Sequence, residues 1–173
     1  MSPSIEVRAH ASILMRPHAR NRYGSSMTSR RRQAANAWGA LLQVHAALVP
    51  TLDKVVREAA GIPLSWYDVL LELAAEPDGR LRMSDLANRV VLSRTRVSRV
   101  SDELVARGLV VKEDYPGDRR SAYAVITDQG RRAFRTAAPI YLQAIEDKFA
   151  AALTNEELEQ VAVLLNKVLK SDA

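Results

Sequence analysis

Two short helical patterns separated by only a few residues occupy the middle of the chain and restrict what it can fold into. The first follows Ser84, and the second follows Ser93 and places Val97, Val100 and Leu104 on one apolar face. Two short amphipathic helices joined by a tight turn form the helix-turn-helix pattern. The sequence therefore predicts a helix-turn-helix within a mainly helical fold.

The second of these helices, in the stretch "LSRTRVSRVSDELVARGLV", has basic residues where helices usually have acidic ones. Arg94, Arg96 and Arg99 fall in its first turns, and Asp102 and Glu103 come later. Because a helix N-terminus carries partial positive charge, acidic side chains are normally favoured there. DNA phosphates and the O6 and N7 acceptors of guanine would supply the missing negative charge. The pattern favours a DNA-recognition helix, with an ordinary solvated basic surface as the alternative.

A helical wheel separates the side chains of this helix into an inner and an outer set. Thr95, Arg99 and Asp102 point away from the apolar face, and Arg96 and Ser98 flank them. A recognition helix presents such N-terminal, outward residues to base edges. The predicted DNA contacts of this helix are Ser93, Arg94, Thr95, Arg96, Ser98 and Arg99.

A β-hairpin is predicted directly after the recognition helix, in "GLVVKEDYPGDRRSAYAVITDQG". Residues 109–114 and 121–127 read as strands, and the proline and glycine of "YPGD" indicate a tight turn between them. The tip carries Asp118, Arg119 and Arg120, which we add to the predicted DNA contacts. A hairpin in this position forms a wing, and an arginine at its tip is suited to the narrow minor groove.

The net charge of +5 is concentrated in two parts of the chain. Seven basic residues against one acidic residue lie in 1–32, and ten against six lie in 80–120. Acidic residues outnumber basic ones in 33–79 and in 141–173. A basic centre between acidic helical segments indicates a module that binds a polyanion.

The chain divides into four predicted regions. We expect a disordered basic tail in 1–30, an N-terminal dimerisation helix in 31–61, a winged helix-turn-helix domain in 62–127 and C-terminal dimerisation helices in 128–173. The tail is either a DNA-contacting arm or an extension upstream of an alternative start at Met27.

Prolines and cap residues give finer expectations for the helices of these regions. Pro50 predicts a kink or a restart in the first helix, and Pro139 predicts a bend in the penultimate one. Ser65, Ser84 and Ser93 are predicted helix caps. Thr127 or Asp128 is expected to cap the penultimate helix, and Thr154 or Asn155 the last one.

The stretches "PLSWYDVLLEL", "RLRMSDLANRVVLSRTRVSRVSDELVARGLV", "DRRSAYAVITDQGRR" and "AAP", in this order, resemble the MarR (multiple antibiotic resistance regulator) family of winged-helix transcription factors. The resemblance runs from about Arg31 to Lys170. It implies a homodimer in which the first helix and the last two helices interlock, and an inverted-repeat operator in double-stranded DNA. It also implies that Asp118 orients Arg120 through a salt bridge, with Arg120 entering the minor groove.

The resemblance further implies a repressor that is released by a small aromatic or phenolic effector. Residues of the type that would line such a site are Trp38, His45, Trp66, Asp68 and Tyr141, although ordinary packing is the simpler interpretation for most of them. Tyr141 stands where related chains often have a histidine. The recognition segment "SRTRVSRV" also departs from the usual family pattern at Arg96, which implies a different operator preference.

Other classes of protein are disfavoured by the residues that the chain lacks. It has no cysteine, and its three histidines do not cluster, so we expect no metal site, cofactor or thiol chemistry. No motif pairs a nucleophile with a base or forms a phosphate loop, so an enzyme is not expected. No apolar run is long enough for a membrane span, and a cytoplasmic location is expected. The alternative function is a winged helix used for nonspecific, architectural DNA binding or for protein contacts.

Overall fold

The computed structural model describes residues 28–115 and 122–171. These residues form six α-helices and three β-strands. In chain order they are α1 (Ser29–Ala60), α2 (Leu64–Ala75), β1 (Arg80–Arg82), α3 (Met83–Arg89), α4 (Arg94–Ala106), β2 (Val110–Asp114), β3 (Ala122–Ile126), α5 (Asp128–Lys148) and α6 (Asn155–Ser171), with a 3₁₀ turn at Ala150–Ala152 before α6.

The chain divides into two compact units, and the boundary lies between Thr51 and Leu52 within α1. The first unit contains α1 up to Thr51, and apolar side chains such as Trp38 and Val44 are exposed on it. The helix continues through Pro50, so the restart offered as one outcome of this proline is not observed. A proline in a helix interior removes one amide donor. The helical carbonyl that loses its donor at Pro50 is that of Ala46, and at the next residue the hydroxyl of Thr51 donates to the carbonyl of Ala47 at 2.9 Å.

The apolar core of the second unit lies where α2, α3, α4 and the sheet pack together. The largest fully buried side chains include Leu70 and Leu73 of α2, Leu86 of α3 and Leu104 of α4. Their spacing of three and four residues within a helix puts them on one inward face. Each fully buried leucine contributes about 1.5–3 kcal/mol relative to an exposed one. The helix-turn-helix is therefore held by a continuous core of its own.

The three strands form an antiparallel sheet in the order β1-β3-β2. Leu81 of β1 pairs with Ala124 of β3, which pairs with Lys112 of β2. The short β1 thus lies at an edge, as its length predicts. Alternation along the strands buries Leu81 and Ala124 and exposes Arg80 and Arg82 on the opposite face. The predicted fold class, mainly α with a small β-hairpin wing, is confirmed.

The junction between the hairpin and α5 explains the "ITDQG" sequence. The hydroxyl of Thr127 lies 2.8 Å from the carbonyl of Gly108 and 3.1 Å from that of Leu109, and it accepts from the Gly130 amide at 3.0 Å. A Cβ at Gly130 would lie 2.1 Å from the carbonyl oxygen of Leu109. Only glycine permits this approach, which packs the start of α5 against the turn between α4 and β2.

The structure confirms some of the predicted caps and corrects others. Ser93, Thr127 and Thr154 accept amide hydrogens at the starts of α4, α5 and α6. Ser65 and Ser84 were wrong predictions, because α2 and α3 each begin one residue earlier without a side-chain cap from the preceding residue.

The amide of Leu64, at the start of α2, is satisfied from a distant part of the sequence. It donates to Asp53 of α1 at 2.8 Å. The carboxylate of Asp53 also pairs with Arg57, one turn along α1. A capping acceptor from the end of α1 therefore fixes the start of α2.

The two C-terminal helices differ in how far their apolar residues are buried. In α5, Ala137 and Ala144 are buried, and Pro139 lies inside the helix. Large apolar side chains of α6 remain on the surface, with Leu164 exposed by 62% and Leu169 by 72%. The apolar face of α6 is therefore not covered by the described residues of the second unit.

Candidate nucleic-acid interface

The helix α4 presents its residues as the helical wheel predicts. Val97, Val100 and Leu104 are buried against the core, whereas Thr95 and Arg99 are exposed on the far side. The sequence interpretation missed Ser101, which is also fully buried, and its hydroxyl has no hydrogen-bond partner among the described residues. The outer surface of α4 is therefore accessible, and the helix could enter the major groove of DNA.

The N-terminus of α4 is held in a defined geometry. The amide of Arg96 donates to the hydroxyl of Ser93 at 3.4 Å, and Arg94 donates to the side chain of Asn88 at 3.4 Å. The first turn of α4 contains no acidic residue. Its three arginines, together with the helix dipole, therefore make this end of α4 strongly electropositive.

Arg96 lies on the side of α4 that faces the end of α1. Burial raises the pKa of Asp53, but hydrogen bonds from Arg57 and Leu64 and the positive charges of Arg57 and Arg96 outweigh it. The pKa of Asp53 consequently lies below its ordinary value. The side chain of Arg96 is therefore attracted electrostatically to the carboxylate of Asp53 in the same chain.

Glu103 connects α4 to α2. Its Oε2 accepts from the indole Nε1 of Trp66 at 3.0 Å, and its Oε1 lies 3.3 Å from Nε of Arg99. The guanidinium carbon of Arg107 lies 5.8 Å from the centre of the Trp66 ring. Trp66, predicted as a ligand residue, thus contacts the recognition helix.

The opposite side of α4 faces the wing. Asp102 forms an ion pair with Lys112 of β2. Between α4, the start of α3 and the sheet lies a groove of about 410 Å³. Its polar lining consists of Arg82, Ser84, Arg94, Ser98 and Lys112. The groove brings three basic side chains together, two of which come from strands.

Aromatic rings hold the outer face of the sheet. The guanidinium carbon of Arg82 lies 3.7 Å from the centre of the Tyr115 ring, and that of Arg80 lies 4.8 Å from the centre of the Tyr123 ring. The two rings are 5.3 Å apart. Such cation–π contacts fix an arginine without neutralising it. Period-two alternation in "RLR" was the signal that could have identified Arg80 and Arg82 as surface cations.

The predicted wing-tip contacts Asp118, Arg119 and Arg120 lie outside the described residues. The strands that lead to them end at Asp114 and begin again at Ala122.

The predicted effector residues fall into separate places. Asp68 of α2 is half-buried near Tyr67 and Tyr141, and the Tyr67 ring lies 5.0 Å from that of Tyr141. Burial raises the pKa of Asp68 to about 6, with a further contribution from the charge of Glu72. Trp66 lies instead against α4. The structure therefore brings Asp68 and Tyr141 into one cluster and separates Trp66 from it.

Trp38 and His45 belong to the first unit, where both are exposed. An apolar depression on the second unit is lined by Val55 and by residues of α5 around Pro139, and none of the five predicted effector residues lines it.

Residues 28–115 and 122–171 contain no group of three or more histidine, aspartate or glutamate side chains placed to hold a metal ion. Among the helices described, none combines the length and apolar character that a membrane span requires.

Comparison with known proteins gives consistent relatives. A model of the MarR family matches residues 60–121. The uncharacterised HTH-type transcriptional regulator YkoM of Bacillus subtilis is 34% identical over 89 residues, which cover 51% of this chain and 57% of YkoM. The transcriptional repressor MprA of Escherichia coli K12 is 25% identical over 69% of each chain.

Solved structures extend the likeness beyond the segment that the family model matches. Sco3205, a MarR family transcriptional regulator from Streptomyces coelicolor solved in complex with DNA, superposes with a TM-score of 0.75 and is 28% identical, covering 86% of this chain and 91% of that one. The family model covers the helix-turn-helix and the first strand of the wing, whereas the structural match covers 86% of the chain. Residues 60–121 therefore carry the DNA-binding segment of the MarR family of transcriptional regulators, and the fold of the chain is the one that MarR family regulators adopt.

Proposed function

We propose that this protein is a cytoplasmic, sequence-specific repressor that binds an inverted-repeat operator in double-stranded DNA as a homodimer. The observation that carries the proposal is the exposure of Thr95 and Arg99 on the outer surface of α4, opposite a buried apolar stripe. Base edges in the major groove are read by such side chains, and a bidentate arginine–guanine contact gives about 1–3 kcal/mol of discrimination.

The groove beside α4 supports the same interpretation. Arg82, Arg94 and Lys112 line it together with two serine hydroxyls. Basic and hydroxyl side chains are the usual partners of DNA phosphates, which fix the register of a protein on the duplex. Phosphates that lie along this groove would place the wing over the adjacent minor groove.

The wing tip completes the proposed interface. We assign Arg120 to the minor groove and Asp118 to orienting it, and we keep Arg119 as a third contact. The support is the match to the MarR family model together with the position of the hairpin β2–β3, directly after α4. A narrow minor groove has a strongly negative potential, which favours an inserted arginine.

The exposed apolar face of α6 supports the proposed homodimer. Val163, Leu164 and Leu169 are each exposed by more than 60%. A two-fold pairing of identical apolar faces is the commonest way to cover such a surface. It would separate the two recognition helices by about 34 Å, one turn of DNA, and so specify an inverted repeat.

Release by a small aromatic or phenolic ligand is the regulatory part of the proposal. The cluster of Asp68, Tyr67, Tyr141 and Phe134 joins α2 to α5, with the rings of Tyr67 and Phe134 5.4 Å apart. A carboxylate among aromatic rings suits a ligand that has a ring and a hydroxyl donor. Trp38, His45 and Trp66 remain candidate ligand residues, to be tested by substitution.

The test is binding to the DNA upstream of the protein's own gene, in competition with random DNA at near-physiological salt. We expect retention on that fragment and protection of an inverted repeat. If binding to the upstream fragment and to random DNA is lost at the same salt concentration, sequence recognition is contradicted, because binding through phosphates alone weakens with salt on any DNA. That outcome would favour an architectural or protein-binding use of the winged helix.

A further inference from the structure

The contact between Trp66 and Glu103 joins a helix of the scaffold to the helix that faces DNA. The indole Nε1 of Trp66 donates to Oε2 of Glu103 at 3.0 Å, across 37 positions of sequence. Trp66 is half-buried in the first turn of α2, and its ring has Arg107 on one side. A large aromatic side chain in a packed position has few rotamers available. The acceptor carboxylate of Glu103 is therefore held by a fixed donor.

The other oxygen of Glu103 acts on Arg99. Its Oε1 lies 3.3 Å from Nε of Arg99, one turn earlier on α4. An ordinary pair of this kind on a helix surface is flexible and contributes little to stability. Here one member is anchored, and the side chain of Arg99 is still 75% exposed. The pair therefore sets the direction of an accessible arginine without burying it.

The edge of Arg99 that faces Glu103 is the one that includes Nε. Its Nη1–Nη2 edge has no partner among the described residues, and that edge can donate two parallel hydrogen bonds to O6 and N7 of a guanine. Ordering a long side chain before binding reduces the entropy that is lost in the complex. A carboxylate that holds Nε consequently favours a bidentate base contact.

We propose that Trp66 and Glu103 are positioning residues that pre-orient Arg99 toward one base pair of each operator half-site. This inference rests on the proposed function and deepens it. Specificity at that base pair then depends on a tryptophan of α2 that does not itself touch DNA.

The test measures relative affinities for an operator and for its single-base variants at every position of one half-site. The operator is obtained by selection from a random DNA pool with the full-length wild-type protein. Arg99→Ala first identifies the base pair that Arg99 reads. We expect Trp66→Phe, which keeps an aromatic side chain but replaces the indole and its N–H by a smaller phenyl ring, to reduce discrimination at that same base pair by about two- to tenfold. Glu103→Gln should act at the same position.

Matched controls separate positioning from folding. Glu146→Gln makes the same chemical change as Glu103→Gln at an exposed position of α5 and should leave the discrimination profile unaltered. A loss of folded protein lowers affinity for every operator equally, so it does not change the ratios between them. The double variant Trp66→Phe/Arg99→Ala should discriminate no worse than Arg99→Ala alone, because both substitutions remove the same contact.

Several outcomes would overturn the inference. Trp66→Phe could leave the ratios unchanged, alter a different base pair, or add its effect to that of Arg99→Ala. If the wild-type protein selects an operator but Arg99→Ala has no position-specific effect, the inference is overturned and the proposed function is not. A wild-type protein that selects no sequence would overturn the proposed function, and the inference with it.

Discussion

The helices α4 and α6 are both amphipathic, but they satisfy their apolar faces in different ways. Val97, Val100 and Leu104 of α4 are buried by α2, α3 and the sheet of the same chain. In α6, Leu164 and Leu169 are exposed by 62% and 72%. The core of the winged lobe is thus closed by residues of one chain, whereas the apolar face of α6 is left open by the described residues of the second unit.

This difference separates two kinds of stability. A core that is closed within one chain gives a free energy of unfolding that does not depend on protein concentration. An apolar face that is covered by a second copy gives a free energy that does depend on it. Substitutions in α4 and in α6 should therefore be distinguishable by concentration alone.

The largest effect is expected from a charge on the exposed face of α6. Leu164→Lys would place two ammonium groups in a two-fold interface and remove two buried leucines, each worth about 1.5–3 kcal/mol. We expect the dimer Kd to rise by about a hundredfold or more. Sedimentation velocity at micromolar concentration measures this as a shift from dimer to monomer.

The control for this substitution is Asn166→Lys, which adds the same charge on the other side of α6. It should leave the dimer intact. A Leu164→Lys protein with the mass of the wild-type dimer would show that α6 is covered in some other way.

A cavity in the winged lobe should have the next largest effect. Leu104→Ala removes a fully buried side chain from α4, and we expect a loss of about 2–5 kcal/mol in the free energy of unfolding. Urea denaturation at two protein concentrations measures the loss. Val105→Ala, at the adjacent and exposed position, should cost far less. A loss for Leu104→Ala that varied with protein concentration would break the contrast between the two helices.

The parts of the fold that are encoded locally could be predicted from the sequence. The spacing of Val97, Val100 and Leu104 specified the inner face of α4, and Ser93 specified its start. The hairpin could be predicted because its strands are adjacent in sequence. In contrast, Ser65 was a wrong cap, because the acceptor at the start of α2 is Asp53, which lies eleven residues before Leu64.

The candidate site shows the same division between local and distant contacts. The outward arginines of α4 follow from helical periodicity. Two features of the site depend on packing between elements that are distant in sequence: the Trp66–Glu103 contact and the proximity of Lys112 to Arg94. No local sequence pattern encodes either of them. Asp68 and Tyr141 could be named from their residue types, but their proximity required the packing of α2 against α5.

A smaller effect is expected from Asp68, at the contact between the winged lobe and α5. Its pKa of about 6 lies above the ordinary value of an aspartate, because burial and Glu72 disfavour the charged form. The folded state therefore binds the proton more tightly than the unfolded state between about pH 4 and pH 6, and stability falls as pH rises through this range. Above it, the charged carboxylate destabilises the fold by roughly 1–2 kcal/mol, after allowance for its partial exposure.

Asp68→Asn should remove this penalty. We expect the variant to be more stable than the wild type at pH 7.5 and to lose most of the difference at pH 4.5, as measured by denaturation at both values. Glu146→Gln serves as the control, because Glu146 is an exposed carboxylate on α5. It should leave the free energy of unfolding unchanged at both pH values. A pH dependence unchanged by Asp68→Asn would place its origin elsewhere.

The smallest effect is expected at the start of α4, where a single hydroxyl caps a helix whose first turn is basic. Ser93→Ala leaves the Arg96 amide without its acceptor, and we expect a cost of about 1 kcal/mol in the free energy of unfolding. Ser65→Ala is the matched control, because Asp53 satisfies the first amide of α2, so its cost should be close to zero. Both values should be independent of protein concentration, since both residues lie in the lobe that one chain completes. Equal costs for the two substitutions would mean that the Ser93 hydroxyl does not stabilise α4, and that the orientation of its arginines depends on the packing of Val97 and Val100 alone.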